Sequence, residues 1–443
     1  MAPEPRADPS ARARLLELAE RLARQRHLGA VRDGVVAALP LVLVGSAFLL
    51  VAQPPIPALH ARLEGWSGIL LVPYRLLGGA IGLYVCLAVA RALARSYGMD
   101  EAGTPLVALA SFLVAQSPAQ LEAGGLGLSL AALGPGGLFG AIAIGLLSVE
   151  VQRAVVGSGW TLRLPNSVPE AIGRSFQAIV PALVSVTLVW AVVHVAGLDL
   201  LGAVASAVAP LVAATDSLLG AWTVVLADGA MWLFGVHPVA ILGALKPVWL
   251  SMLTENMAAR ADGLPLPHVA TREFFLWFVW QGGSGGTLAL ALLLARARSR
   301  ALRGVGRLGL VPSLFNVNEP ILFGLPVVMN PRLAVPFLAA PLATATTTYL
   351  AMRLDWVARP HLEVLWTLPA PVGAYLATGG DARAVLLQCA NLAISLVVWW
   401  PFVRAWDRRL LAGEGEGRPE LMPVPGAPEG GSDARSDPGP ARG

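Results

Sequence analysis

Long apolar runs recur along the chain, divided by short polar or arginine-bearing connections. The runs cover about 34–53, 74–95, 103–117, 126–149, 176–197, 200–215 and 218–236, then 273–295, 333–352 and 384–402. Nearly all are apolar around the whole helical circumference, as membrane-spanning helices are. At about 20 residues per span, this pattern predicts an all-α polytopic membrane protein with about ten transmembrane helices.

Two stretches break the pattern. Residues 308–329, LGLVPSLFNVNEPILFGLPVVM, are apolar but interrupted by Asn316, Asn318 and Glu319 and by Pro312, Pro320 and Pro326. A carboxylate at membrane depth is costly and faces a partner or a water-filled cavity. The prolines free backbone groups that lipid cannot satisfy, so the segment must be buried in protein or line a cavity. Residues 367–380, TLPAPVGAYLATGG, are similarly irregular. Such a pair of interrupted segments in one half predicts two re-entrant hairpins around a central transport site. The structural alternative is a kinked helix carrying one ion-paired Glu.

Composition agrees: 56% of residues are hydrophobic and 14% charged, against about 25% charged in soluble domains. The net charge of +4 does not imply a nucleic-acid partner, because the arginines cluster in alternate connections. They fall at Arg6–Arg32, Arg91 and Arg95, Arg153–Arg174, Arg296–Arg307 and Arg404–Arg409, and none lies within 197–217. Read by the positive-inside rule, this places the N-terminus in the cytoplasm. Residues 10–28 set Leu15, Leu18 and Leu22 against arginines, a pattern suited to a helix on the membrane surface or capping the bundle. The charged start and the length of the first apolar run predict a span, not a cleaved signal peptide. Cys86 and Cys389 lie in apolar runs and read as small buried hydrophobes. The polar tail, 412–443, is expected to be disordered.

The chemistry-bearing residues are few. His237, in WLFGVHP at the end of a span, can exchange a proton near neutral pH. With Glu319 it forms a pair able to grip and polarise a hydroxyl; alone, it would bond a freed carbonyl. Asn316 and Asn318 suit a polyol or, equally, cap backbone released by Pro320. Trp232 and Trp366 offer faces for a sugar ring, though many of the 13 tryptophans must be interfacial. The glycine cluster 282–286 fits no phosphate-binding motif and reads as close helix packing. Asp228 inside a span lines the pathway or bonds a neighbouring helix. No metal-ligand spacing and no cofactor motif is present.

At FNVNEPILFGLPVVMNP (315–331) the chain resembles the membrane IIC component of bacterial sugar phosphotransferase systems, in the lactose/cellobiose/diacetylchitobiose branch. The similarity continues through RHLGAVRDGVVAALPLVLVGSAFLL (26–50), GLLSVEVQRAVV (145–156), WLFGVHP (232–238), GGSGGTLAL (282–290) and LWTLPAPVGAYLATGGDARAVLLQCANLAIS (365–395). The resemblance implies a homodimer in the bacterial cytoplasmic membrane, with a cytoplasmic segment at 1–33 and a scaffold and dimerisation domain at 34–205. It implies a sugar-carrying domain at 206–411 that moves as an elevator. A disaccharide bound outside would be carried inward and phosphorylated on its C6 hydroxyl by a phosphocysteine on a separate IIB protein, itself charged by IIA. By motif position, Glu319 and His237 would hold that hydroxyl, and Trp232 and Trp366 would contact the rings. Asn316 and Asn318 would shape the hairpin, and Arg32 would add a polar contact. Pro238 departs from the glycine expected after the histidine. A facilitator or sensor without phosphorylation is the alternative. A membrane enzyme acting on lipid phosphates would need acidic pairs or a basic pocket within the spans, which the sequence lacks.

Overall fold

The computed structural model describes residues 17, 21, 25–116, 118–120, 125–162, 176–325 and 330–415. Most of the surface segment at 10–28, the connection beyond residue 162, Pro326 and the tail from 416 lie outside the described residues.

The first part of the chain forms α1 (Arg26–Ala52), α2 (Pro57–Leu63), α3 (Ser67–Leu77), α4 (Ile81–Ser96) and α5 (Gly103–Val114). A short antiparallel ladder follows, β1 (Ala119–Gln120) against β2 (Leu126–Gly127), with Ala119 opposite Gly127. This is the one departure from the all-α expectation among the described residues. Strands of two residues each are too brief for an alternating pattern to register in the sequence. Then come α6 (Leu130–Leu133), α7 (Leu138–Gly157), α8 (Ile179–Trp190) and α9 (Leu200–Thr215).

Helices α1, α4, α5, α7 and α8 pack on one another. Small residues permit the close approach: a Cβ at Gly34 of α1 would lie 2.5 Å from the Val89 side chain of α4. An apolar cluster drawn only from residues 30–201, including Phe112, Leu93 and Ile144, fills this group.

The second part contains α10 (Leu218–Leu233), α11 (Val239–Leu242), α12 (Lys246–Ala261), α13 (Arg272–Phe274) and α14 (Thr287–Ala295). It continues with α15 (Arg300–Leu314), α16 (Glu319–Gly324), α17 (Pro331–Arg353), α18 (Ala370–Ala377) and α19 (Ala382–Gly415). Here α17 packs on α10 and α19, and α14 on α15 and α19. A second cluster, from Trp232 to Leu410, fills this group, and the largest cluster joins both groups through α1, α4, α10, α12 and the aromatic run at 274–279.

Among the described residues, five helices are long and apolar enough to cross a membrane, or six if the α8–α9 pair, bent by 85°, counts as one span. Shorter apolar helices, including α5 and α10, add to these. The expectation of about ten spans came from counting apolar runs, and several of those runs are not continuous helices. The run at 273–295 passes from α13 into a π-helical turn, Phe275–Val279, and then into the glycine loop before α14. Of the two cysteines, Cys86 is buried as expected, whereas Cys389 faces outward from α19.

Candidate functional site

Asn316 is the centre of the broken segment. α15 contains Pro312 and ends at Leu314, and Asn316 then adopts a left-handed conformation, φ 62°. Asparagine tolerates that region better than most residues because its short side chain bonds locally. Here the bonds are long-range. Asn316 Oδ1 accepts from the Gly282 N–H at 3.2 Å, and its Nδ2 donates to the carbonyls of Trp366 at 2.8 Å and Leu368 at 3.2 Å. One side chain therefore ties together the broken segment, the glycine loop and the stretch leading into α18.

Asn318 makes the neighbouring tie, donating from Nδ2 to the Ser284 carbonyl at 3.2 Å. Gly282, Gly283, Gly285 and Gly286 all have positive φ, between 66° and 110°. A Cβ at Gly283 would stand 2.4 Å from Asn318 Cγ. The cluster is thus a turn held by the two asparagines, and it also serves the close packing expected from its composition: a Cβ at Gly285 would lie 2.2 Å from Phe337 of α17, and one at Gly286 3.3 Å from Ser395 of α19. Asp228 of α10 is buried, and the Ser284 side chain hydrogen-bonds to its carboxyl, joining a third helix to the loop.

Glu319 opens α16 immediately after Asn318, with Pro320 in the first turn. Its side chain is exposed and makes no hydrogen bond or ion pair among the described residues. Trp366, held through its backbone by Asn316, is 48% exposed and offers an open indole face. Trp232 is instead buried at 7% exposure, in the same apolar cluster as Ile321 and Leu322 of α16. Its ring lies 4.9 Å from that of His237. It anchors the His237 arm to the Glu319 arm rather than presenting a free platform.

His237 is exposed just beyond α10. Its Nδ1 accepts from the Val239 N–H at 3.3 Å, which leaves Nε2 to carry the proton and donate. Pro238 has φ −56° and begins α11, so proline fits the turn beside the histidine. Arg32 of α1 pairs with Asp33 at 2.9 Å and reaches the same loop, where a Cβ on Gly243 would lie 3.3 Å from Arg32 Cδ. No hydrogen bond or ion pair joins Glu319 to His237. The structure therefore ties Asn316, Asn318 and Trp366 into one hub, with Glu319 on its rim. Trp232 and His237 are in ring contact, and Arg32 lies against Gly243, six residues beyond the histidine.

Two charged groups escaped sequence analysis. Arg272 Nη1 contacts Glu363 Oε1 at 2.8 Å and Glu273 Oε1 at 3.4 Å, and the Glu363 N–H donates to Ser46 Oγ of α1 at 2.9 Å. Glu363 stands three residues before Trp366, the only local hint of this group. The second is His268, in the loop after α12. Its Nδ1 meets Asp216 Oδ2 at 3.1 Å and its Nε2 meets Glu255 Oε2 at 2.7 Å. Burial lowers the imidazole pKa, but the two carboxylates outweigh it and raise the value to about 9. The histidine is therefore charged at neutral pH. Because its folded pKa exceeds the ordinary value of about 6.5, its contribution to stability is complete below about pH 6.5 and is lost as pH rises through about 9. Melting temperature in detergent should fall across that window, and His268→Gln should remove this part of the slope; an unchanged slope would refute the assignment.

The fold is that of a helical protein with several membrane-spanning-type helices and a polar, interrupted segment centred on Asn316. Comparison makes the class specific. The family described as "Phosphotransferase system, EIIC" matches residues 32–341. The lichenan permease IIC component of Bacillus subtilis is 36% identical, over 94% of this chain and 96% of its own length. The cellobiose-specific EIIC component of Geobacillus stearothermophilus is 35% identical, over 90% and 94%. The crystal structure of the transporter ChbC, the IIC component from the N,N'-diacetylchitobiose-specific phosphotransferase system, superposes with a TM-score of 0.82 at 33% identity, covering 91% of this chain and 98% of that one. The chain belongs to the EIIC family of phosphotransferase-system sugar permeases.

Proposed function

We propose that this permease takes up a neutral β-linked disaccharide of the cellobiose, chitobiose or lactose type and presents its C6 hydroxyl for phosphorylation by a IIB protein. The observation that carries this reading is the Asn316 hub, which ties the glycine loop and the backbone at Trp366 to the broken segment three residues before Glu319. The relatives named for lichenan, cellobiose and diacetylchitobiose support the substrate class. A lactose-specific EIICB component of Streptococcus mutans, 29% identical and covered over 72% of its length, supports a IIB partner.

In this reading the N-terminus is cytoplasmic, and 34–205 forms the scaffold of a homodimer. Residues 206–411 carry the sugar as a rigid body between the two faces. Trp366 stacks on a ring, and His237 Nε2–H donates to the C6 oxygen. Glu319 accepts the hydroxyl proton as that oxygen attacks phosphorus. The new O–P bond forms as the S–P bond of a IIB phosphocysteine breaks, and the thiolate leaves on IIB. Positioning and proton removal are what such a transfer requires of the protein.

A panel of radiolabelled disaccharides tests the substrate class. Saturable binding of one β-linked disaccharide to the purified chain, weakened about fivefold or more by Glu319→Gln, is the expected result; the difference of about 1 kcal/mol between a charge-assisted and a neutral hydrogen bond sets that scale. No binding across the panel would refute the reading.

A further inference from the structure

A cavity of 690 Å³ lies away from this site, at the end of the molecule where α1 finishes. Contacts fix its position. Gly380 packs on Pro55, just past α1, and Asp381 accepts from the Ala358 N–H at 2.9 Å. Arg359, next to Ala358, lines the cavity. The arginine-bearing C-terminal end of α19 lies at the far end of that helix, where Asp407 accepts from the backbone of Arg298 and Ser299. With the N-terminus cytoplasmic, the cavity faces the side from which sugar arrives.

Its walls come from both helix groups: Phe139 of α7, Ala209 of α9, Glu255 of α12, His268, and Tyr349 and Arg353 of α17. Asp216 is wholly engaged, since beyond His268 it accepts from the N–H groups of Val269 at 2.8 Å and Ala270 at 2.7 Å. Arg359 is held by the carbonyls of Leu266 and Pro267 and by Asp355. These groups form a fixed frame. Two charges remain available to a ligand. Glu255 is 37% exposed, with protein bonds to His268 and Ser251 that leave acceptor capacity on both oxygens. Arg353 is exposed and makes no hydrogen bond or ion pair among the described residues.

The lining sets Asp216 and Glu255 against His268, Arg353 and Arg359, and Asp355, just outside the lining, pairs with Arg359 at 3.4 Å and brings the local charge to balance. A balanced site favours a neutral ligand over an anion or cation. A guanidinium and a carboxylate, one purely donating and one purely accepting, match vicinal hydroxyls, while Phe139 and Tyr349 supply apolar and aromatic surface. The volume lies within the ordinary range of small-molecule sites, about 300–1,000 Å³.

We propose that this cavity is a second sugar site, which captures the neutral disaccharide on the uptake side before it reaches Glu319. The inference rests on the substrate class proposed above. Occupancy here raises local sugar concentration beside the carrier without taking part in phosphoryl transfer.

Equilibrium binding of radiolabelled cellobiose to the purified full-length chain tests it, using whichever disaccharide of the panel binds in place of cellobiose if that sugar does not. Wild type should show two classes of site, one weakened by Glu319→Gln and one, at least tenfold weaker, unaffected by it. Arg353→Ala should abolish only the weaker class. Ala209→Trp, which fills the cavity from α9 and leaves the charged groups in place, should do the same. In membrane vesicles both variants should raise the apparent KM for uptake several-fold at unchanged maximal rate. A single class of site in wild type, or a weak class surviving both variants, overturns the second site while leaving the Glu319 site standing. Absence of any saturable sugar binding overturns both readings.

Discussion

Glu319→Gln should reduce sugar phosphorylation by phosphorylated IIB by a factor of about 10² or more, while sugar binding falls only about fivefold. The asymmetry follows from what the substitution removes. Glutamine still donates and accepts hydrogen bonds, but it cannot take the proton that leaves the C6 hydroxyl, and general-base contributions are typically about 10²–10⁴-fold. The carboxylate stands exposed and without a protein partner among the described residues, so its loss should leave the fold intact. Formation of sugar phosphate in vesicles supplied with phosphorylated IIB, measured beside equilibrium binding, separates the two effects. Equal losses in both would assign Glu319 to binding alone, and full phosphorylation would remove it from the site.

Asn316→Ala should be the most damaging single change in the hub. It deletes an acceptor for the Gly282 N–H and two donors, to Trp366 and Leu368. It also leaves a β-carbon residue in a left-handed conformation, without the local bonding that makes asparagine tolerable there. The three bonds are part-buried or exposed and worth about 0.5–1.5 kcal/mol each, and the left-handed backbone costs about 1–2 kcal/mol, so a loss of several kcal/mol is expected. Binding should drop by more than tenfold, with a lowered melting temperature. Asn316→Gly relieves the backbone but not the lost bonds, so it should recover part of the stability and little of the binding. Recovery of both by glycine would mean that the asparagine serves only its turn.

The interrupted segment was legible because its signal is local. A carboxylate, two asparagines and three prolines within one apolar run conflict with a lipid environment, and that conflict can be read without partners. The hub around it was not legible. Asn316 finds Gly282 at a distance of 34 residues and Trp366 at 50, and no periodicity links those stretches. The glycine cluster was legible as a place of close packing, but its turn and its asparagine partners were not, since positive φ and a partner side chain are features of tertiary structure. Trp232 and Trp366 look alike in sequence, and only packing distinguishes the buried anchor from the open face. His268 carried no signal in its loop, with its acids 52 and 13 residues away. Apolar runs likewise conceal helix breaks, because the run at 273–295, interrupted by a π-turn and glycines, has the composition of a helix but not its continuity.

The proposed coupling of sugar entry to phosphorylation at Glu319 can be followed by the chemical form in which the sugar arrives. Vesicles oriented with the N-terminus inside, loaded with phosphorylated IIB and exposed to the labelled disaccharide that binds the purified protein, test it most directly. The account predicts that label accumulates inside as the 6-phosphate and that Glu319→Gln abolishes the accumulation. Label that enters only as free sugar and equilibrates at the external concentration, with or without phosphorylated IIB, would contradict it and identify a facilitator instead.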